Sequence, residues 1–234
     1  MEKYKPADAT VSPRFCGVRT FMRLPHKAVL TSVDFIMVGI PFDTGASFRV
    51  GARFGPQAIR DASILLRPYN PVLNVNIFDH CSGVDYGDID VVPGYIEETY
   101  KKIHQELVKI FEAGVVPIFL GGDHSITLPE LRALAESRGP AALVHFDSHS
   151  DTWDSYFDKP YNHGTPFRRA IEESCLLVEN SIQIGMRGPL YDLSDLEEAC
   201  KLGLEVLPAW EVRKIGLSET IKRIRARVQD KPVF

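Results

Sequence analysis

Asp34-Phe35-Ile36-Met37-Val38-Gly39-Ile40 is a short, nearly continuous apolar run. Such a run is the pattern of a strand buried on both faces, and a sheet buried on both faces is a parallel sheet covered by helices. The rest of the chain repeats the same unit. Gly55-Pro56 opens a helix expected to reach about Leu66, because proline suits a first helical turn whose N–H groups have no partner anyway. A long helix is expected from about Gly94 to Ala113, with Ile96, Tyr100, Ile103, Leu107 and Ile110 at spacings of three and four, stopped by Gly114. Strand Val116 to Leu120 follows, then a helix from the capping-box sequence Thr127-Leu128-Pro129-Glu130 to about Glu136, then strand Ala141 to Phe146. Thr165-Pro166 starts a further helix, Ser181 to Ile184 is a short strand, Ser194 caps a helix closed by Gly203, and Leu204 to Leu207 is a strand. Ser218 caps a last amphipathic helix, and Pro232-Val233-Phe234 opens another strand. Residues 1–33 read as an irregular N-terminal extension, and 34–234 as one α/β domain with a mostly parallel sheet flanked on both faces.

Composition removes several functions. The 27 Lys and Arg against 31 Asp and Glu give a formal charge of −4, which argues against a nucleic-acid surface. An apolar fraction of 44% in 234 residues suffices for a sizeable core. No apolar stretch approaches the roughly 20 residues of a membrane span. The polar N-terminus lacks the pattern of a secretory leader, and Cys16, Cys81, Cys175 and Cys200 form no Cys-x-x-Cys pair. The expectation is a cytoplasmic protein with reduced thiols, engaging neither membrane nor nucleic acid.

Ligands of parallel sheets bind beyond the carboxyl ends of the strands. Gly121-Gly122-Asp123-His124-Ser125 follows one expected strand, and Asp147-Ser148-His149-Ser150-Asp151 another. In an extended backbone Asp147, His149 and Asp151 would project to one side, and His124 would add a fourth ligand from a neighbouring strand end. Carboxylates with one or two imidazoles suit Mn²⁺ better than a structural zinc site. A solvated polar loop is the plain alternative for 147–151, and an anion cradle or a tight turn for the glycine pair. His163, in His163-Gly164-Thr165, reads by itself as an exposed loop histidine. His26, His80 and His104 read as surface residues, and His145 as a core histidine.

At these residues the sequence resembles the ureohydrolase family, which includes arginase, agmatinase and guanidinobutyrase. The resemblance rests on Gly39-Ile40-Pro41-Phe42-Asp43, Gly51-Ala52-Arg53-Phe54-Gly55-Pro56 with Ile59-Arg60, Gly121 to Ser125, His145 to Asp151, His163-Gly164-Thr165-Pro166-Phe167 and Gln183-Ile184-Gly185-Met186-Arg187. It implies a three-layer α/β/α fold with a Mn²⁺ pair at the carboxyl edge of the sheet. His124 and Asp151 would belong to one ion, His149 to the other, and Asp147 would bridge them. His163 would contact the substrate and relay protons, which replaces its reading as a bystander. The guanidinium carbon is a poor electrophile, so hydrolysis needs a water made nucleophilic at neutral pH, as paired metal ions achieve. Urea and an amine would be the products. The family also implies a homo-oligomer, trimeric or hexameric.

Trp153 stands where arginases carry an asparagine that holds the substrate's α-carboxylate, so the resemblance points to a substrate without that group. Arg14-Phe15, Phe21 to Pro25 and Arg67-Pro68-Tyr69-Asn70 are similar to the agmatinase and guanidinobutyrase branch. Agmatine, giving putrescine and urea, is the first expectation, with guanidinobutyrate as the alternative. The family pattern continues into an Asp-x-Asp motif and a later glutamate that lie beyond Phe234. A chain ending there is expected to hold metal weakly or singly and to hydrolyse little. It reads as a C-terminally truncated agmatinase-like enzyme, with a catalytically inactive partner subunit as the other possibility.

Overall fold

A computed structural model describes residues 3–192 and 194–234, which fall into two compact units. The first comprises the chain up to Thr44 together with Phe48–Ile126, and the second Gly45–Ser47 with Thr127–Phe234.

The first unit is built on β1 (Phe35–Ile40), followed by α1 (Gly55–Ser63), a small antiparallel pair β2 (Tyr69–Asn70) and β3 (Val75–Asn76), and the single turn α2 (Ile77–His80). Then come β4 (Gly83–Asp88), α3 (Ile96–Glu112) and β5 (Val116–Gly121). The strands pair in parallel in the order β4-β1-β5, so the apolar run Phe35–Ile40 is the central strand. Ile36, Val38 and Ile40 have no exposed surface, as expected of a strand covered on both faces. Ile103, Leu107 and Ile110 form the buried stripe of α3, and Phe111 meets Phe119 of β5 edge-on at 6.5 Å. Leu24, Met37, Phe78 and Leu120 make a further apolar cluster.

The second unit contains α4 (Thr127–Arg138), β6 (Val144–Phe146), α5 (Pro166–Glu172), β7 (Ile182–Ile184), α6 (Ser194–Lys201), β8 (Glu205–Leu207) and α7 (Ala209–Val228). Its three strands are again parallel, in the order β6-β7-β8. Ile182, Ile184 and Leu207 pack with Val144, Val212, Ile215 and Ile224, which sets α7 against the sheet. Pro232 to Phe234 run beside β6, with Ala142 N–H donating to Pro232 O at 2.8 Å and Val144 N–H to Phe234 O at 3.0 Å. The pairing amounts to one parallel bridge between Ala142 and Val233, short of the strand expected there. No helix among the described residues is long and apolar enough to cross a membrane.

Several boundaries differ from expectation. β4 was not anticipated, because Gly83, Asp85, Gly87 and Asp88 interrupt any apolar run. Its charges are answered from α1: Arg60 grips Asp85 through Nε at 2.8 Å and Nη2 at 3.0 Å, and reaches Asp88 at 2.6 Å. Thr127 and Ser194 are the first helical residues of α4 and α6 rather than residues preceding them. The last helix begins at Ala209, with a break at Gly216 (φ 77°), upstream of the expected start at Ser218.

Candidate active site

In the first unit the chain leaves β5 through Gly122, whose N–H donates to Ile40 O while that of Asp123 donates to Phe42 O at 2.8 Å. A Cβ on Gly122 would lie 2.2 Å from Phe42 O, so only glycine allows this approach. The Asp123 carboxylate accepts from Ser125 N–H at 2.9 Å and from its hydroxyl, tightening the 3-10 turn His124–Ile126. His124 thus sits at the carboxyl end of β5, as expected from sequence.

In the second unit, Asp147 to Asp151 follow β6. The segment is not extended: its backbone bends over residues 147–149, and Asp151 adopts a left-handed conformation (φ 50°) that aspartate tolerates better than most residues. The expected alternation of side chains is therefore replaced by a turn. Asp147 Oδ1 accepts the His149 N–H at 2.9 Å and lies 3.5 Å from His149 Nδ1. Asp147 and His149 are adjacent all the same, because the carboxylate folds back over its own chain. The turn is anchored by Gln183 of β7, wholly buried, whose Nε2 donates to Ser150 O at 2.6 Å.

The same amide nitrogen lies 3.1 Å from His145 Nδ1. Since Nε2 of Gln183 is a donor, Nδ1 of His145 accepts, and the neutral ring carries its proton on Nε2. That atom faces Asp147 Oδ2 at 3.6 Å. His145 is 7% exposed and its ring centre lies 4.5 Å from that of Phe167, the two planes tilted by 56°, so it is a core histidine as expected. The sequence gives no sign that this buried ring also lies beside the Asp147 carboxylate. The side chains of this turn offer carboxylate oxygen and imidazole nitrogen, donor types that hard divalent cations such as Mn²⁺ accept.

Trp153 and His163 line one cavity of about 450 Å³ together with His149, Asp151 and Tyr156. Trp153 is pinned at three points. Its N–H donates to Gly164 O at 3.1 Å, its indole Nε1–H donates to Asp195 Oδ1 at 3.1 Å, and its ring covers Gly164, where a Cβ would meet Cε3 at 3.3 Å. His163 Nδ1 lies 2.8 Å from Gly45 O and its Nε2 lies 3.4 Å from Ser47 Oγ. A carbonyl only accepts, so Nδ1 bears the proton and Nε2 is left for the cavity side. Gly45, Ser47, Tyr156, Tyr191 and Asp195 were not singled out from sequence. No motif links them to the metal-type residues, and only folding brings them to the same space.

Residues 33–234 match the model of the arginase family. The chain belongs to that family. The arginase-family chain is 39% identical over 234 residues to guanidinobutyrase from Pseudomonas aeruginosa, covering 99% of itself and 73% of that protein. It is 39% identical over 229 residues to the mitochondrial agmatinase of Gallus gallus, covering 98% and 67%. Among solved structures it is similar to proclavaminate amidinohydrolase from Streptomyces clavuligerus, with a TM-score of 0.89 and 39% identity over 95% of this chain and 74% of that one. The parallel sheets with flanking helices are the α/β arrangement expected from sequence. The protein is accordingly an enzyme of the ureohydrolase type, acting on C–N bonds.

Proposed function

We propose that this arginase-family chain hydrolyses a linear guanidino compound, first of all agmatine, to urea and an amine. The observation that carries the reading is the cavity that joins His149 and Asp151 to Trp153 and His163. The names of the relatives, guanidinobutyrase and agmatinase among them, support the substrate class. Trp153 in the wall favours a substrate without an α-carboxylate.

His124, Asp147, His149 and Asp151 are the residues we assign to Mn²⁺, on their donor chemistry and on their match to the family pattern. When bound, such ions supply Lewis acidity and a water activated at neutral pH. The chain's own contribution is positional. Gln183 and His145 hold the Asp147 turn, and Asp147 steadies His149 through the His149 N–H. The aromatic wall of Trp153 and Tyr156 excludes water from the methylene chain of the substrate. His163, its ring proton held on Nδ1 by Gly45 O, presents an unprotonated Nε2 to the cavity, which takes up the proton given off by the attacking water and passes it to the departing amine nitrogen.

Urea release by the Mn²⁺-loaded protein from a panel of guanidino compounds tests the reading. Release from agmatine supports it. Release from guanidinobutyrate alone would favour the alternative substrate, and none from any member would refute the assignment.

A further inference from the structure

The cavity has an end that guanidinium chemistry does not use. Beyond Trp153, whose ring centre is 5.0 Å from that of Tyr156 and 5.9 Å from that of Tyr191, the wall reaches Asp195 in the first turn of α6. Asp195 is fixed at both oxygens: Oδ1 accepts from Trp153 Nε1–H at 3.1 Å, and Oδ2 from Tyr191 N–H at 2.9 Å. A carboxylate offers about four lone-pair directions, so both oxygens keep room for a further donor. No lysine or arginine is among the described residues that line this cavity.

We propose that Asp195 is a specificity-determining residue, which with the rings of Trp153 and Tyr191 receives a primary ammonium at the tail of the substrate. The inference rests on the guanidino-hydrolase reading and sharpens it, from any linear guanidine to one with a cationic tail. The physical case has three parts. An ammonium over aromatic faces is attracted by their quadrupoles, most strongly over an indole. A carboxylate immobilised by two donors is a counter-charge that needs no reordering when the cation arrives. A carboxylate tail would meet Asp195 as a like charge and find no guanidinium or ammonium in the wall to pair with. Apolar rings that serve only the methylene chain would not discriminate among the three tails.

The test is calorimetric titration of the Mn²⁺-loaded chain, and of its Asp195→Asn and Asp195→Glu variants, with agmatine, butylguanidine and guanidinobutyrate. These ligands share the guanidinium head and differ at the tail. Wild type is expected to bind agmatine about tenfold more tightly than butylguanidine, and guanidinobutyrate more weakly than either. Asp195→Asn should bring agmatine down to the level of butylguanidine and leave butylguanidine unchanged, while Asp195→Glu keeps part of the preference. The proposal is overturned if guanidinobutyrate binds as well as agmatine, if Asp195→Asn weakens all three alike as a merely structural residue would, or if none binds. Urea assayed on the same samples separates the two readings. An ammonium preference without urea would sink the hydrolase and leave this site standing, whereas urea release without the preference would do the reverse.

Discussion

One carbonyl holds His163 twice: Gly45 O accepts the backbone N–H of His163 at 3.1 Å and lies 2.8 Å from its ring Nδ1. Main chain and imidazole are fixed against the same atom, so the ring's direction and its tautomer are set together. Nε2 is left facing the cavity beside Ser47 Oγ with its lone pair open, placed to take a proton from the attacking water and hand it on to the leaving nitrogen.

His163→Asn should therefore leave Mn²⁺ content and folding unchanged and lower urea release by about 10²–10⁴-fold, the usual worth of a positioned general acid. Steady-state kinetics with metal analysis of the same preparation checks this. A fall in kcat without loss of metal is the expected pattern.

Removing the support behind Asp147 should act on the metal rather than on the proton. His145→Phe keeps the ring that packs on Phe167 but loses the nitrogen facing Asp147. Mn²⁺ affinity is expected to weaken about 10–100-fold, in line with other residues that orient metal ligands. Asp147→Asn, which alters a ligand itself, should weaken it further. Titration with Mn²⁺ followed by electron paramagnetic resonance reads both.

Glu130 offers a prediction about pH. It is 3% exposed, Oε1 has no hydrogen-bond partner among the described residues, and burial pushes its pKa up to about 8 from 4.5 against a smaller opposing effect of Thr127. The folded chain keeps this proton where the unfolded chain has lost it. Stability contributed by the neutral acid is thus present below pH 4.5 and falls as pH rises from 4.5 to about 8, above which it is flat. The loss amounts to a few kcal/mol, at about 1.4 kcal/mol per unit. Glu130→Gln should flatten that slope and raise the melting temperature most near pH 8. Parallel melting curves for the two proteins across this range would contradict it.

The sequence was most informative where one element explains itself. β1 and α3 were legible because an apolar run and a stripe at three and four spacing each need no distant partner to be recognised. β4 was hidden because Asp85 belongs in a buried strand only once Arg60, 25 residues earlier, folds over it. The candidate site divides in the same way. The ligand types at His124 and at Asp147 to Asp151 stood out locally, whereas the function suggested for His163 came from family resemblance. Gly45 lies 118 residues from His163, and Asp195 lies 42 from Trp153, so neither pairing leaves a local pattern. The turn at Asp147 was misjudged as extended because serine and aspartate alternation looks the same in a strand and in a chain of side-chain-capped bends.

The Arg60 network carries its own expectation. Asp85 is 1% and Arg60 9% exposed at the side chain, and the Phe21 N–H also donates to Asp85 Oδ2 at 2.7 Å. Arg60→Met would leave a buried carboxylate without its cation and should cost about 3–5 kcal/mol in denaturant unfolding. Adding Asp85→Leu should recover much of that loss, since two apolar groups impose no unpaired charge.

The central claim is cleavage of a guanidine C–N bond by water. Incubating the Mn²⁺-loaded chain with agmatine in heavy-oxygen water, then identifying the products by mass spectrometry, tests it most directly. The account predicts putrescine and urea, with the heavy oxygen in the urea carbonyl. Agmatine left intact, or converted with release of ammonia in place of urea, would contradict it.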